Sequence, residues 1–273
     1  MIIAVCVLAC VVIGAATLLI HTLYVKTTTI SMSVPDVPRL TLVHLTDIHG
    51  RIRFLNGPLH RLVNRLAPDI VLVTGDLAQH SGQLNQVLTE LSRINHRGGG
   101  IYFVPGNYER EEVICLRKRL YSSEAYAANK KAWEKHMIVL ENEGRLIKMG
   151  DSRILIYGFD NSTYGNERYA WDDSEPVDLT VFLAHSPNII TLIHQNGLKA
   201  DLLLSGHTHG GQIRLFGKPL GGGAYKHFHV GQKVEETVGI FSISRGLGTA
   251  KLPVRLCCFP EITVYQINHH QPK

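Results

Sequence analysis

A continuous apolar stretch opens the chain. Residues 1–25 contain no Asp, Glu, Lys or Arg, and their few polar positions do not form one face of a helix. About 20 such residues are enough for a helix to cross the hydrocarbon core of a bilayer. The pattern therefore predicts a single transmembrane anchor over residues 1–25.

Two alternatives compete with this anchor. A cleaved signal peptide usually has a basic n-region followed by an apolar core of about 7 to 15 residues, whereas no Lys or Arg precedes this longer stretch. A buried core helix usually keeps a polar face, which the stretch lacks. We therefore expect a single-pass protein of the cell membrane. Lys26 is the one charge close to the stretch, so the sequence leaves open which side of the membrane carries the rest of the chain.

Residues 26–39 are rich in Thr and Ser and include Pro35 and Pro38, which predicts an extended linker. Beyond them, short runs of Val, Ile and Leu alternate with stretches whose apolar positions have helical spacing. The runs cover 40–45, 70–74, 101–104, 154–157, 180–184 and 202–204, and the helical stretches cover 59–66 and 83–94. Such runs are typical of buried sheet strands. The alternation predicts an α/β domain over 40–268, with further strands at 239–244 and 261–267 and a tail at 269–273.

Composition changes this picture mainly through histidine. Hydrophobic residues make up 45% of the chain, and the net charge of +5 is small for 273 residues, which excludes a disordered chain and gives no charge-based reason to expect nucleic acid. Five Cys, two of them adjacent at 257 and 258, do not form a disulfide pattern. The 15 His residues stand out, so their spacing from other metal ligands decides what they indicate.

Polar blocks follow five of the predicted strands. These blocks are Asp47-Ile48-His49, Gly75-Asp76, Gly106-Asn107-Tyr108-Glu109, His185 and Gly206-His207-Thr208-His209. In open α/β sheets, ligands bind at the carboxyl ends of the strands. We therefore expect the five blocks to build one site.

The predicted ligands offer two carboxylates, four imidazoles and one amide oxygen, from Asp47, His49, Asp76, Asn107, His185, His207 and His209. This set can hold two divalent ions if one carboxylate bridges them. Mixed nitrogen and oxygen ligands suit Mn, Fe, Zn, Co or Ni better than Mg or Ca. Two such ions lower the pKa of a bound water and stabilise the attacking and leaving oxygens. The set therefore predicts hydrolysis of a phosphate ester by a metal-bound hydroxide.

These blocks, in this order over about 160 residues, resemble the calcineurin-like metallophosphoesterase family. Similarity at Gly210-Gly211-Gln212, at 244–248 and at 252–261 extends the resemblance to its membrane-anchored bacterial branch, for which a UDP-2,3-diacylglucosamine pyrophosphatase activity is often inferred. The resemblance implies a two-sheet β-sandwich flanked by helices. It also implies that Asp47, His49 and His209 hold one metal. Asn107, His185 and His207 would hold the other, and Asp76 would bridge the two.

One position departs from the family pattern. The family block usually has His where this chain has Tyr108. A phenol has a pKa of about 10, so at neutral pH it donates a hydrogen bond but is a poor proton shuttle. We expect Tyr108 to join Asp76 and Asn107 as a catalytic residue that steadies a phosphate oxygen, while an activated leaving group such as a nucleoside phosphate departs.

Several other residues are candidates for contacts around the site. Basic side chains flank the last ligand block at Arg214, Lys218, Arg245, Lys251 and Arg255. They predict contacts to a diphosphate substrate or an anionic membrane, with a solvated face as the alternative. The charged segment 109–126 predicts a helix or flap over the site. His227 and His229 lie in a Gly-rich loop that lines the pocket or is solvated. Tyr164, Tyr169 and Trp171 predict a turn anchored by aromatic rings.

The leading interpretation is a membrane-anchored, two-metal phosphohydrolase that cleaves a phosphodiester or diphosphate bond in a lipid-linked substrate such as a UDP-diacylglucosamine. A nuclease or cyclic-nucleotide phosphodiesterase on the same site is the alternative enzyme. The chain has no long basic stripe, which argues against an extended nucleic-acid partner. A non-catalytic metal-binding module, in which Tyr108 marks lost activity, is the alternative from another class.

Overall fold

Two six-stranded mixed sheets pack face to face in the computed structural model, which describes residues 1–114, 117–220 and 230–269. In order across the first sheet, the strands are β1 (Lys26–Val34), β18 (Glu261–His269), β2 (Leu40–Leu45), β5 (Ile70–Thr74), β6 (Ile101–Val104) and β9 (Ile138–Val139). The second sheet contains β10 (Glu143–Met149), β11 (Ser152–Gly158), β12 (Leu179–Leu183), β13 (Ala200–Ser205), β17 (Val238–Ile243) and β16 (Gly231–Lys233).

In the described part of the chain, four helices cover the outer faces of the two sheets: α2 (Leu59–Asn64), α3 (Ser81–Leu91), α4 (Ser123–Glu134) and α5 (Ile189–Gln195). A fifth helix, α1 (Ile2–Leu23), precedes the first strand. Three hairpins are also present: β3 (Arg53–Phe54) with β4 (Gly57–Pro58), β7 (Glu111–Ile114) with β8 (Arg117–Leu120), and β14 (Arg214–Leu215) with β15 (Lys218–Pro219). Two short 3₁₀ helices, Asn107–Glu109 and His209–Gly211, complete the described elements.

The alternation of side chains along each strand gives the domain three layers of core. Leu42 and Leu72 of the first sheet pack against residues such as Val181 of the second sheet. The opposite face of the first sheet packs on α2, α3 and α4, and the outer face of the second sheet packs on α5. The predicted α/β fold, with two sheets and flanking helices, is confirmed.

The segment predicted as a linker, 26–39, is instead largely a strand of the first sheet. β1 pairs in parallel with β18, from Lys26 beside Glu261 to Val34 beside His269. The apolar residues Ile30, Met32 and Val34 alternate with Thr and Ser, and this period of two buries them on the shared core. The same pairing carries β18 to residue 269, one residue past the predicted domain boundary. The rest of the predicted tail, like His227 and His229, lies outside the described residues.

The strands that precede the predicted ligands end at one edge of the molecule. β2, β5 and β6 run parallel, and so do β12, β13 and β17. We call the edge at which β2, β5 and β6 end the carboxyl edge. Because β18 is antiparallel to β2 and parallel to β1, β1 also begins at this edge. The preceding helix α1 therefore meets the domain at the carboxyl edge.

Helix α1 projects from the domain. It has a mean hydropathy of 2.9 over its most apolar window, and none of that window is buried. Its 22 residues span about 33 Å at about 1.5 Å per residue, enough to cross a hydrocarbon core of about 30 Å. By length and composition α1 can cross a membrane, a test that a signal sequence near the N-terminus passes as well.

Candidate metal centre

Left-handed backbone turns follow the strands at the carboxyl edge. Non-glycine residues seldom adopt positive φ angles, and they keep them where the surrounding structure enforces them. Five of the seven predicted ligands have φ between 47° and 67°: Asp47, His49, Asp76, His207 and His209. These turns reverse the chain directly after a strand and bring side chains from distant blocks together.

One cluster consists of Asp47, His49 and His209, whose donor atoms all lie within 4.8 Å of one another. The Nε2 atoms of His49 and His209 are 3.2 Å apart, and His209 Nε2 lies 3.4 Å from Asp47 Oδ1. All three side chains are buried. These are the three residues that the family resemblance assigns to one metal.

A second cluster consists of Asp76, His185 and His207. His185 Nε2 lies 3.3 Å from Asp76 Oδ2 and 3.0 Å from His207 Nδ1. The predicted ligand Asn107 joins this cluster, because its Oδ1 is 3.2 Å from His185 Nε2. Asp76 Oδ2 is also 3.5 Å from His49 Nε2 in the first cluster. The Asp76 carboxylate therefore lies between the two clusters, where a bridging ligand would be.

The donor chemistry of the two clusters fits a dinuclear metal centre. In each cluster two imidazole nitrogens face each other beside a buried carboxylate. Two lone pairs at such distances repel unless a proton or a cation lies between them. Two divalent cations satisfy these nitrogens and the carboxylates together, because imidazole and carboxylate are ordinary ligands of transition metals.

Electrostatics within the clusters also favour cations. Burial raises the pKa of Asp47 to about 6 and lowers the pKa of His49 to about 4. Burial opposes charge on Asp76 and His185 as well, but their mutual attraction dominates: it holds the pKa of Asp76 well below its usual range and raises the pKa of His185 to about 10. Ligation requires neutral imidazole, so a bound cation would replace the compensating proton on His185.

Backbone and side-chain groups around the ligands set their orientation. His185 Nδ1 lies 2.8 Å from the carbonyl of Thr74, which only accepts, so Nδ1 donates and Nε2 faces the cluster. The Asp47 carboxylate accepts hydrogen bonds from the hydroxyl of Thr46 and the amide of His207. Partners of this kind hold ligand rings and carboxylates in position and tune their basicity.

Glu109 organises the loop that carries Asn107 and Tyr108. Its buried carboxylate accepts from the backbone amides of Asp76 at 2.8 Å, Leu77 at 2.9 Å and Gly106 at 2.6 Å. It thereby joins the loops after β5 and β6. The sequence places Glu109 in the third block, but its role comes from contacts about 30 residues away that no local pattern indicates.

Asn107 and Tyr108 face the cluster from a short 3₁₀ turn, Asn107–Glu109. Asn107 Nδ2 donates to Glu111 at 3.0 Å, which leaves its Oδ1 directed at His185. The Tyr108 ring packs edge to face on His49 with centroids 4.7 Å apart. Burial, with the nearby carboxylates, raises the pKa of Tyr108 to about 12. Tyr108 is therefore a protonated donor beside the first cluster.

A cleft of about 850 Å³ opens beside His49 and Tyr108. Its lining combines cations and apolar side chains: Arg51, Lys118 and Lys251 with Val113, Leu252 and Pro253. Val113 and Lys118 belong to the hairpin β7 with β8, which forms one wall. The charged segment 109–126 thus supplies a hairpin beside the site, followed by α4. Arg51 and Lys118 were missed because neither belongs to a ligand block, although Arg51 lies only two positions after His49.

The predicted substrate contacts at Arg255 and its neighbours need correction. Arg255 is fully buried and donates to the carbonyls of Gly248 and Arg245, and its Nη2 lies 3.4 Å from Nδ1 of His209. It cannot reach a ligand in the cleft, because its guanidinium is enclosed by backbone carbonyls. Arg255 instead supports the loop that carries the metal ligand His209.

The other predicted cations lie outside the described lining of the cleft, except Lys251. Arg245 pairs with Glu261 at 2.8 Å. Arg214 donates to the carbonyls of Gly210 and Gly217, and Lys218 lies exposed on β15. None of these three side chains lines the described cleft.

The aromatic residues of the predicted turn lie in two places, the core of the second sheet and the metal site. Tyr169 packs on Tyr157 with ring centroids 4.7 Å apart, and Trp171 lies over Gly144. Tyr164 instead reaches the metal cluster, where its hydroxyl is 3.0 Å from His207 Nε2. Because His207 Nδ1 faces His185, the Tyr164 hydroxyl holds the opposite side of the ring.

Comparison with known proteins agrees with this geometry. The model of the calcineurin-like phosphoesterase family matches residues 40–211. The chain is 31% identical over 242 residues to the uncharacterized protein YpbG of Bacillus subtilis (strain 168), covering 87% of this chain and 85% of that one. It is 29% identical to the uncharacterized metallophosphoesterase YkoQ of the same organism, covering 89% and 90%.

A bovine relative is named a transmembrane protein with metallophosphoesterase domain. It is 30% identical to this chain over 253 residues, which cover 84% of this chain and 53% of the bovine protein. The metal clusters, the two-sheet fold and the matching family model lead to one conclusion. The chain belongs to the calcineurin-like phosphoesterase family and is a metal-dependent phosphoesterase.

Proposed function

We propose that this phosphoesterase is anchored in a membrane by α1 and cleaves a diphosphate or phosphodiester bond in a lipid-linked substrate such as a UDP-diacylglucosamine. The observation that carries the proposal is the cleft beside the metal clusters. Its cations, Arg51, Lys118 and Lys251, suit a phosphate-rich group, while Val113 and Leu252 suit an apolar one. A substrate with both parts would use the whole lining.

The two metal ions would be held by the residues of the two clusters, with Asp76 shared between them. When bound, divalent ions such as Mn, Fe or Zn supply a water of near-neutral pKa and positive charge for the phosphoryl oxygens. The chain itself orients the phosphate. Tyr108 donates its phenolic hydrogen to a phosphate oxygen, and Arg51 and Lys118 neutralise the neighbouring phosphate.

Tyr108 also bears on the leaving group. Its raised pKa of about 12 keeps the phenol protonated, so it is a poor general acid at neutral pH. A nucleoside phosphate leaves readily without protonation, whereas a simple alcohol does not. This difference supports a diphosphate substrate over an ordinary monoester.

Contacts at the end of α1 support an anchor that is retained rather than cleaved. Thr22 Oγ1 accepts from the amide of Arg255 at 2.8 Å, and His21 Nδ1 accepts from the amide of Cys257 at 3.1 Å. Removal of a signal peptide would take these groups away from the loop that supports His209. A tethered site would also meet membrane-borne substrates at a high local concentration.

The full chain, purified in detergent micelles, tests this proposal. We expect two transition-metal ions per chain and Mn-dependent turnover of UDP-2,3-diacylglucosamine. Asp76→Ala should lose both, whereas Asp151→Ala, at an exposed turn, should retain both. Faster turnover of cyclic nucleotides or oligonucleotides than of the lipid would favour the alternative enzymes. Bound metal without Asp76-dependent turnover of any of these substrates would favour a non-catalytic module.

A further inference from the structure

The anchor and the metal centre lie at the same edge of the domain. β1 begins at the carboxyl edge, so α1 enters beside the ends of the strands that carry the ligands. The end of α1 is held on two sides. On one side His21 and Thr22 bind the loop at Arg255 and Cys257, and on the other the carbonyl of Leu23 accepts from the amide of Leu55 at 2.8 Å. A bilayer crossed by α1 would therefore adjoin the carboxyl edge.

The hairpin β14 with β15 lies next to this junction. The amide of Arg214 donates to the carbonyl of Leu256 at 2.9 Å, one residue before the Cys257 that binds His21. The two tip residues, Phe216 and Gly217, have φ of 50° and 78°. Positive φ at both central positions is the pattern of a type I′ turn, in which Asn, Asp or Gly is favoured at the first position.

Nothing in the described part of the domain explains why an aromatic residue, Phe216, occupies the tip of this hairpin. A bulky side chain is disfavoured at positive φ, so turn chemistry does not account for it. The ring is also fully exposed, so burial in the core does not account for it either. An aromatic residue that is unfavourable for the turn and bare of packing among the described residues indicates a partner outside the described part of the domain.

Other exposed apolar residues surround the same junction. Leu55 is 52% exposed beside the end of α1, and Leu220 is 62% exposed at the base of the hairpin. Leu252 is 56% exposed and lines the cleft; its carbonyl accepts from the side chain of Gln212, two residues before Arg214. The apolar surface therefore runs from the anchor to the mouth of the cleft.

The charge of this region matches an anionic lipid surface. Arg53 lies on the hairpin that holds Leu55, Arg214 and Lys218 flank Phe216, and Lys251 precedes Leu252. Basic residues next to a membrane anchor are attracted to anionic headgroups. Exposed apolar residues among such cations are typical of surfaces that lie in the membrane interface.

We propose that Leu55, Phe216, Leu220 and Leu252 form a membrane-contacting surface that rests in the interface of an anionic bilayer, with Phe216 inserted. This inference rests on the proposed anchoring by α1, and it specifies in addition how the domain is oriented relative to the bilayer. The cleft then opens onto the headgroup layer. A lipid-linked phosphate ester reaches the metal clusters by lateral diffusion, without leaving the membrane.

Tryptophan quenching in vesicles tests the surface. The full chain is reconstituted in phosphatidylcholine vesicles with phosphatidylglycerol, with and without lipids brominated near the top of the acyl chains. Phe216→Trp should add blue-shifted emission that brominated lipid quenches, above the background of Trp133 and Trp171. Asp151→Trp, in the exposed turn between β10 and β11 at the opposite edge, is the matched control and should add unquenched emission. Equal quenching of the two variants would overturn the proposal.

A kinetic variant gives an independent test. Phe216→Ser should raise KM about tenfold for a diacylated substrate presented in anionic vesicles and leave turnover of a soluble nitrophenyl diester unchanged, because Phe216 is outside the cleft lining. Unchanged kinetics on both substrates would contradict the surface. The mass of the vesicle-bound chain separates the two proposals: loss of α1 refutes the anchor, whereas an intact, inserted chain without Phe216 quenching refutes only the membrane-contacting surface.

Discussion

Replacement of the buried Arg255 by Met tests whether this residue supports the metal loop or binds substrate. The guanidinium donates to five backbone carbonyls, those of Arg245, Gly246, Gly248, His209 and Cys258. Met fills a similar volume but donates no hydrogen bond. These carbonyls belong to residues 245–248, to Cys258 and to His209 itself, so the loss of their donor should affect the metal site as well as the fold.

The expected cost follows from burial. A buried carbonyl left without its donor costs roughly 1 to 3 kcal/mol, so the loss of the guanidinium, partly offset by relaxation of the loops, should destabilise the fold by roughly 3 to 5 kcal/mol in total. For a domain of this size each kcal/mol lowers Tm by about 2 to 4 °C. Arg255→Met should therefore unfold roughly 6 to 20 °C below the parent. Arg214→Met is the matched control, since half-buried Arg214 donates to two carbonyls near solvent, and it should cost only about 1 kcal/mol.

Thermal unfolding of the full chain in one detergent, with and without EDTA, measures this effect. The EDTA series separates loss of the fold from loss of metal, because a bound ligand raises the apparent stability. Metal content should fall in Arg255→Met and stay at the parent level in Arg214→Met. An Arg255→Met variant that unfolds at the parent temperature and shows only a higher KM would mean that the guanidinium binds substrate after all.

Three further substitutions test individual contacts. Tyr108→Phe should lower kcat on a diphosphate substrate by about 10², and Tyr108→His should raise turnover of esters with poor leaving groups. If Tyr108→Phe instead turned over the diphosphate at the parent rate, Tyr108 would not be the hydrogen-bond donor to the phosphate. Glu109→Gln should weaken metal affinity about tenfold, measured by Mn titration, because the carboxylate that joins the ligand loops loses its charge. Tyr164→Phe should also weaken metal binding, since it frees His207 Nε2, whereas Tyr169→Phe should not; equal affinities in the two variants would exclude that role.

Continuous apolar runs predicted the central strands well. β2, β5 and β6 have the bounds that the sequence predicts, because strands buried on both faces are apolar at most positions. β1 was missed because it lies at the edge of its sheet, where alternating Thr and Ser resemble a polar linker. Its pairing partner, β18, is more than 200 residues away in the chain, so no local pattern identifies it.

The ligand blocks were visible in the sequence for a related reason. Each block directly follows a buried strand, so chain order alone places all of them at one edge of the molecule. The left-handed turns at Asp47 and Asp76 that aim the side chains were not visible, because tertiary contacts rather than residue type enforce them. The same holds for Glu109, whose partners lie in another loop.

The sequence by itself therefore determined the central strands, the order of the candidate metal ligands and the apolar N-terminal helix, since each depends on residue type and local spacing. Only the tertiary structure decided what surrounds the ligands. In the structure Arg255 is buried beside His209 and does not contact the cleft, whereas Arg51 and Lys118 line it. The end of α1 lies at the same edge of the domain as the metal centre. These outcomes depend on contacts between residues far apart in the chain, and such contacts form only when the two sheets and their loops pack together.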